Sequence, residues 1–161
     1  MEMLSACYAD AHDIEIMTAR CFAFIGYGLP KHLAIGQLIN DALYADEITV
    51  KGDGKPVRSY LYAADLAVWL LVILLRGKSS SAYNVGSDVA MSIASVAFRI
   101  KDALSLEKPV CIGNKNENIQ AARISYVPDI SHSLNELDVM VWTPLDEAIK
   151  KHSLNSKFHI L

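Results

Sequence analysis

"ITVKGDGKPVRSYLYAADLAVWLLVILLRGKSSSAYNVG", residues 48–86, decides the fold. "ITVK" has the β-branched composition of a short strand, Asp53-Gly54 marks a hairpin-like reversal, and "VRSYLY" is a second extended piece. A helix is expected over 64–76, followed by a brief buried strand in "AYNVG" at 82–86. The apolar run from Leu66 to Leu75 is ten residues, about half the length a membrane-spanning helix needs, so it reads as a buried helix.

The same alternation continues on both sides. Upstream, "EMLSACYADA" (2–11) reads as a helix without a capping residue ahead of it, and "DIEIMTARCF" (13–22) as a strand ended by "GYGLPK". In "HLAIGQLINDALYAD", Ile35, Leu38, Ile39, Ala42 and Leu43 share one helical face. Downstream, Ser92 is placed to cap a helix whose stripe is Ile93, Val96, Ala97, Ile100, Ala103 and Leu104. "VCI" (110–112) is a further strand, "VPDIS" a turn into helix 131–137, and "WTPLDEAIKKH" a last helix with Thr143 as cap and Pro144 in its first position. Strands alternating with helices, with no repeat and no linker, indicate a single α/β domain.

Composition narrows the partners. The 161 residues are 52% hydrophobic and 20% charged, which suits one ordered domain. A net charge of −3 gives no general attraction for nucleic acid or an anionic membrane, so any anion site must come from local clustering. Cys7, Cys21 and Cys111 form no CxxC pair, and are read as reduced thiols rather than a disulfide framework or a zinc site. The five histidines form no H-x-x-x-H pair and are expected at the surface. Without a basic leader ahead of an apolar run, the chain reads as cytoplasmic.

Within the opening stretch, Lys51, Lys55 and Arg58 surround a Gly-Asp-Gly turn, where the backbone can be approached closely and the Arg fork matches two phosphate oxygens. The alternative for Arg58 is an ion pair with Asp53 or Asp65. Tyr60 and Tyr62 share one face of an extended segment, either lining a pocket or packing in the core. Asp65 is placed to cap the long helix, and Asn84 to hold the strand-to-helix corner. Tyr27 and Lys31 have the Tyr-x-x-x-Lys spacing that lets a cation depress a phenol on one helix face. Gly28 and Pro30 lie between them, so the pair is expected in a loop and is rejected as a catalytic dyad.

Five stretches taken in order, "TARCFAFIGYG", "ITVKGDGKPVRSYLYAADLA", "AYNVGSDVAMSI", "YVPDIS" and "WTPLDEAI", resemble the C-terminal half of an extended short-chain dehydrogenase/reductase of the NAD-dependent nucleotide-sugar epimerase/dehydratase family. The resemblance covers nearly the whole chain. It implies a partial Rossmann-like NAD(P)-binding fold in which residues 1–161 form the substrate-binding portion, with the N-terminal dinucleotide-binding half absent. Neither "GYGLPK" nor "GDGKPV" supplies the three glycines of a dinucleotide loop, and neither is expected between a strand and a helix early in a βαβ unit.

The resemblance further implies that the substrate, a nucleotide-diphosphate sugar, is met by Arg58 as diphosphate clamp, with Tyr60, Val50, Ala23 and Arg123. Ala23 stands where the family has an asparagine, which removes an amide donor. Phe22 would meet NAD or NADP only if the other half were supplied. No metal is implied, and the chain alone is expected to bind sugar nucleotide without turning it over. Two other functions stay open: a non-catalytic protein that pairs through an uncovered strand edge into a homo-oligomer, and one half of a split epimerase/dehydratase completed by a separate N-terminal half.

Overall fold

A computed structural model describes residues 2–113 and 125–157, with side chains to Leu154. Helices and short strands alternate along the chain, as the sequence expects. α1 is Glu2–His12, β1 Thr18–Cys21, β2 Phe24–Ile25, α2 Ala34–Tyr44, β3 Ile48–Val50, β4 Val57–Arg58 and β5 Leu61–Tyr62. α3 is Ala63–Arg76, β6 Ala82–Val85, β7 Met91–Ser92, α4 Ile93–Ala103, β8 Val110–Ile112, β9 Ser125–Tyr126, α5 Ser131–Leu137 and α6 Leu145–Lys157.

Pairing is mostly parallel. β1 runs alongside β6 with Thr18 opposite Ala82, β2 alongside β5, and β3 alongside β8. β4 lies between β7, which is antiparallel to it, and β9, which is parallel. Parallel neighbours need crossover connections, and each of these contains a helix: α2 lies between β2 and β5, α3 between β1 and β6, and α4 between β3 and β8.

The hairpin expected around Asp53-Gly54 does not form. β3 and β4 leave the turn for different sheets, so the reversal joins two layers instead of two partners. The turn itself is built as its residues require: Gly52 and Gly54 take φ of 71° and 66°, and the Asp53 carboxylate accepts the Lys55 amide at 3.1 Å. Carbonyls of Gly54 and Pro56 then accept the first amides of α4, from Ala94 and Ile93, while the Ser92 hydroxyl accepts Ser95 N–H at 3.1 Å. Ser92 is therefore the cap that the sequence expects, helped by the turn before it.

The strand expected over 13–22 is shorter in fact. Asp13, at φ 50°, ends α1, Ile16 bonds to the 79–80 loop, and ladder pairing begins only at Thr18. Two apolar clusters result. One joins β2, α2, β3, α4 and α6 through Ile25, Leu38, Ile39, Val50, Ile100 and Ile149. The other joins α3, β6 and α5 around Trp69, Ile73, Tyr83, Val85 and Leu137. β5 separates them: Leu61 enters the second cluster, while Tyr60 and Tyr62 face the first, as alternation along an extended segment requires.

Asp65 and Thr143 depart from their expected roles together. Asp65 is buried on the first turn of α3 and caps nothing there; it accepts the Thr143 amide at 2.8 Å and hydroxyl at 2.9 Å. Thr143 thus spends its hydroxyl on α3, and α6 starts at Leu145 with the Pro144 carbonyl accepting Ala148 N–H. His152 is likewise no surface histidine: it is 8% exposed, with Nδ1 2.6 Å from the Gly26 carbonyl. Cys7, Cys21 and Cys111 are free thiols. No helix among the described residues is long and apolar enough to cross a membrane.

Candidate functional site

Three elements converge on one cleft of about 230 Å³. α2 contributes its N-terminal end, with His32 just ahead of it, then Ala34, Gln37 and Leu38. β3 contributes Thr49, Val50 and then Lys51, and β4 brings Pro56 and Arg58, with Ile93 closing one side. Lys51, Arg58 and His32 line the cleft, and no carboxylate is among its described lining residues. The free amides at a helix N-terminus add to the same field. The nearest carboxylate the bonds show is Asp41, which accepts from the Gln37 side chain and the Thr49 amide.

Arg58 is held from two directions. Its Nη1 donates to the Val57 carbonyl at 2.7 Å, and its guanidinium carbon lies 6.0 Å from the centre of the Tyr126 ring. Tyr126 in turn stacks on Phe22 at 4.8 Å between centroids. Arg58, Tyr126 and Phe22 therefore form a column that fixes where the guanidinium sits. Of the two carboxylates weighed against it, Asp65 accepts from Thr143, and Asp53 faces Lys55 at 3.5 Å.

The remaining residues named from sequence separate. Val50 is fully buried and floors the cleft beside Arg58. Ala23 packs against the core, and its carbonyl accepts Leu61 N–H; it does not line the cleft. Phe22 does not line the cleft; it stacks on Tyr126, and its amide donates to the Val85 carbonyl at 2.9 Å. Tyr60 lines a different cavity, with Ser87 and Met91, and burial pushes its phenol up to about 12. Arg123 lies outside the described residues. Asn84 holds its corner as expected, donating to the Asp129 carbonyl at 2.8 Å.

Tyr27 and Lys31 sit in the loop between β2 and α2, with Gly28 at φ 75°, so they lack the helical geometry of a dyad. Gly26 and Gly28 stand between β2 and α2, but β2 and β3 belong to different sheets, so the turn does not open a βαβ unit of consecutive strands. Pro30 lies within the loop, and the next glycine, Gly36, is already inside α2 against the Pro30 carbonyl. His32 and Gln37 are cleft residues that sequence reasoning missed, as is Tyr126, the ring beside Arg58. The signal for His32 was its place just before a helix start opposite a basic turn.

Residues 1–86 match the model of a family described as the NAD dependent epimerase/dehydratase family. A low-salt glycan biosynthesis protein of Haloferax volcanii is 31% identical over 104 residues, 64% of this chain and 33% of that protein. A dTDP-glucose 4,6-dehydratase of Xanthomonas campestris is 29% identical over 119 residues, 73% of this chain and 32% of the relative. Among solved structures, a UDP-glucose 4-epimerase of Thermotoga maritima in complex with UDP-glucose superposes with a TM-score of 0.87 at 16% identity, covering 99% of this chain and 52% of that one. The chain thus spans about half of that solved protein, and its aligned stretch about a third of the curated relatives.

Proposed function

Because the chain belongs to the NAD-dependent epimerase/dehydratase family, with its Rossmann-like α/β fold, we propose that the Arg58 cleft holds the diphosphate of a nucleotide sugar. The observation that carries this reading is the convergence of Arg58, Lys51, His32 and the α2 N-terminus on one concavity with no carboxylate among its described lining residues. Two linked phosphates match the planar fork of an arginine beside a second cation. Val50 and Leu38 offer an apolar floor for the nucleoside.

A dinucleotide finds no such cradle among the described residues. The Gly26-Gly28 turn is separated from α2 by Pro30 and lacks the third glycine, and the Gly52-Gly54 turn leads to β4, not to a helix. NAD or NADP, and hence turnover, would come from a complementary N-terminal half, in which case Phe22 becomes a cofactor neighbour.

The test is titration of the purified chain with UDP-, dTDP-, CDP- and GDP-sugars. Salt-sensitive binding that weakens at least tenfold in Arg58→Ala is expected, since a charge-assisted hydrogen bond is worth about 1.5–3 kcal/mol. No binding to any of the four ends the reading. A second reading, pairing with another chain, has its own support. β1 pairs with β6 alone among the described strands, and Leu71, Leu74 and Leu75 on α3 are 59%, 66% and 79% exposed. Light scattering that shows a monomer at high concentration removes it.

A further inference from the structure

The cavity that takes Tyr60 shares no lining residue with the Arg58 cleft. It lies between Tyr60, the 86–91 loop and the start of α6, and has a volume of about 350 Å³. Its walls are mostly apolar: Val89, Met91, Val141 and Leu145. A dry apolar cavity of about 150 Å³ is enough to take benzene, so this one has room for a ring with a substituent.

The polar groups facing it are few, and most are spent. Thr143 gives its hydroxyl to Asp65, and the Ser87 hydroxyl accepts Val89 N–H at 3.2 Å, which fixes the loop. Arg99 is paired outside the cavity lining with Asp146 at 2.5 Å, so a charged ligand gains little from it. Tyr60 is different. The residue is 9% exposed, but its hydroxyl is not sealed off and stays open to the cavity, where a ligand can reach it. With its phenol pushed up to about 12 by burial, Tyr60 stays protonated at neutral pH and has a proton to donate.

We infer that this cavity binds a small uncharged molecule with an apolar, ring-sized body and one acceptor oxygen, which takes the Tyr60 phenol proton. The polar contact sets the orientation, and the apolar walls supply most of the affinity.

Acetophenone and cumene, nearly equal in shape, differ in that acceptor. In a backbone-amide NMR titration of the whole chain, both probes are expected to shift Ser87, Val89, Met91 and Val141 saturably. Acetophenone should bind about 5-fold more tightly, the worth of one neutral hydrogen bond. Tyr60→Phe should erase that preference and leave cumene binding intact. Val89 is 62% exposed, so Val89→Trp can fill the cavity without disturbing the core. That variant should lose both probes while keeping the native melting temperature and the native UDP titration. The inference is overturned by the absence of saturable shifts at those amides, by a preference that survives Tyr60→Phe, or by probe binding that survives Val89→Trp. UDP binding reports on the Arg58 cleft separately, so failure at one cavity is distinguishable from failure at the other.

Discussion

Replacing Asp65 with alanine removes the buried acceptor that ties the segment before α6 to the first turn of α3. Asp65 is 5% exposed and Thr143 8%, so no water stands ready to replace the bonds of 2.8 and 2.9 Å between them. Leaving buried donors unpaired costs about 1–3 kcal/mol. Losing a carboxylate from a helix's first turn adds about 0.3–1 kcal/mol. The Trp69 indole still holds the same segment through the Met140 carbonyl at 2.9 Å, so the segment is loosened and not released. The expected cost of Asp65→Ala is therefore about 3 kcal/mol. Asp65→Asn should cost about 1 kcal/mol, because the amide keeps one acceptor oxygen and the shape. Urea unfolding measures both, as a lowered midpoint at unchanged slope. In a double-mutant cycle with Thr143→Val, the combined loss should fall short of the sum. An alanine variant within about 0.5 kcal/mol of the parent, the range of ordinary surface changes, would refute the reasoning.

Gly54→Ala should destabilise by about 1–3 kcal/mol in the same assay, because φ is +66° and the added methyl would meet the Ala94 Cβ at 2.8 Å. A neutral outcome would mean that the turn does not pack on α4 as described. Tyr60 predicts alkaline instability with a defined sign. The folded phenol titrates near 12 against 10.0 for the ordinary group, so stability is full below pH 10 and falls as pH rises toward 12. The loss from this group approaches roughly 3 kcal/mol, and unfolding midpoints of Tyr60→Phe should descend less steeply over that window. Trp69→Phe should cost about 2 kcal/mol by orphaning the Met140 carbonyl; an unchanged melting curve would rule out that bond.

Much of this molecule can be read from residue patterns because the patterns are local. The i, i+3, i+4 stripe of α2, the Ser92 cap and the alternation of Tyr60, Leu61 and Tyr62 each depend on a few neighbouring residues, and each is found in place. What escaped depends on distant chain. The Asp53-Gly54 turn has hairpin chemistry, yet β4 finds better partners in β7 and β9, which no local signal announces. Asp65 looks like a helix cap until Thr143, 78 positions away, takes its carboxylate. The cleft divides in the same way. Arg58 and Lys51 were legible beside their turn, but His32 and the α2 N-terminus join them only through the packing of α2 on β3 and α4. Tyr60 shows the limit: two residues from Arg58 in an extended strand, it nevertheless opens into a separate cavity.

The direct measurement of the central claim is a calorimetric comparison of UDP, UMP and uridine on the parent chain and on Arg58→Ala. If the guanidinium receives the linked phosphates, affinity rises from uridine to UMP to UDP in the parent, and the step to UDP collapses in the variant while uridine is unaffected. Equal affinity for the three ligands, or a UDP preference that survives loss of Arg58, would contradict it.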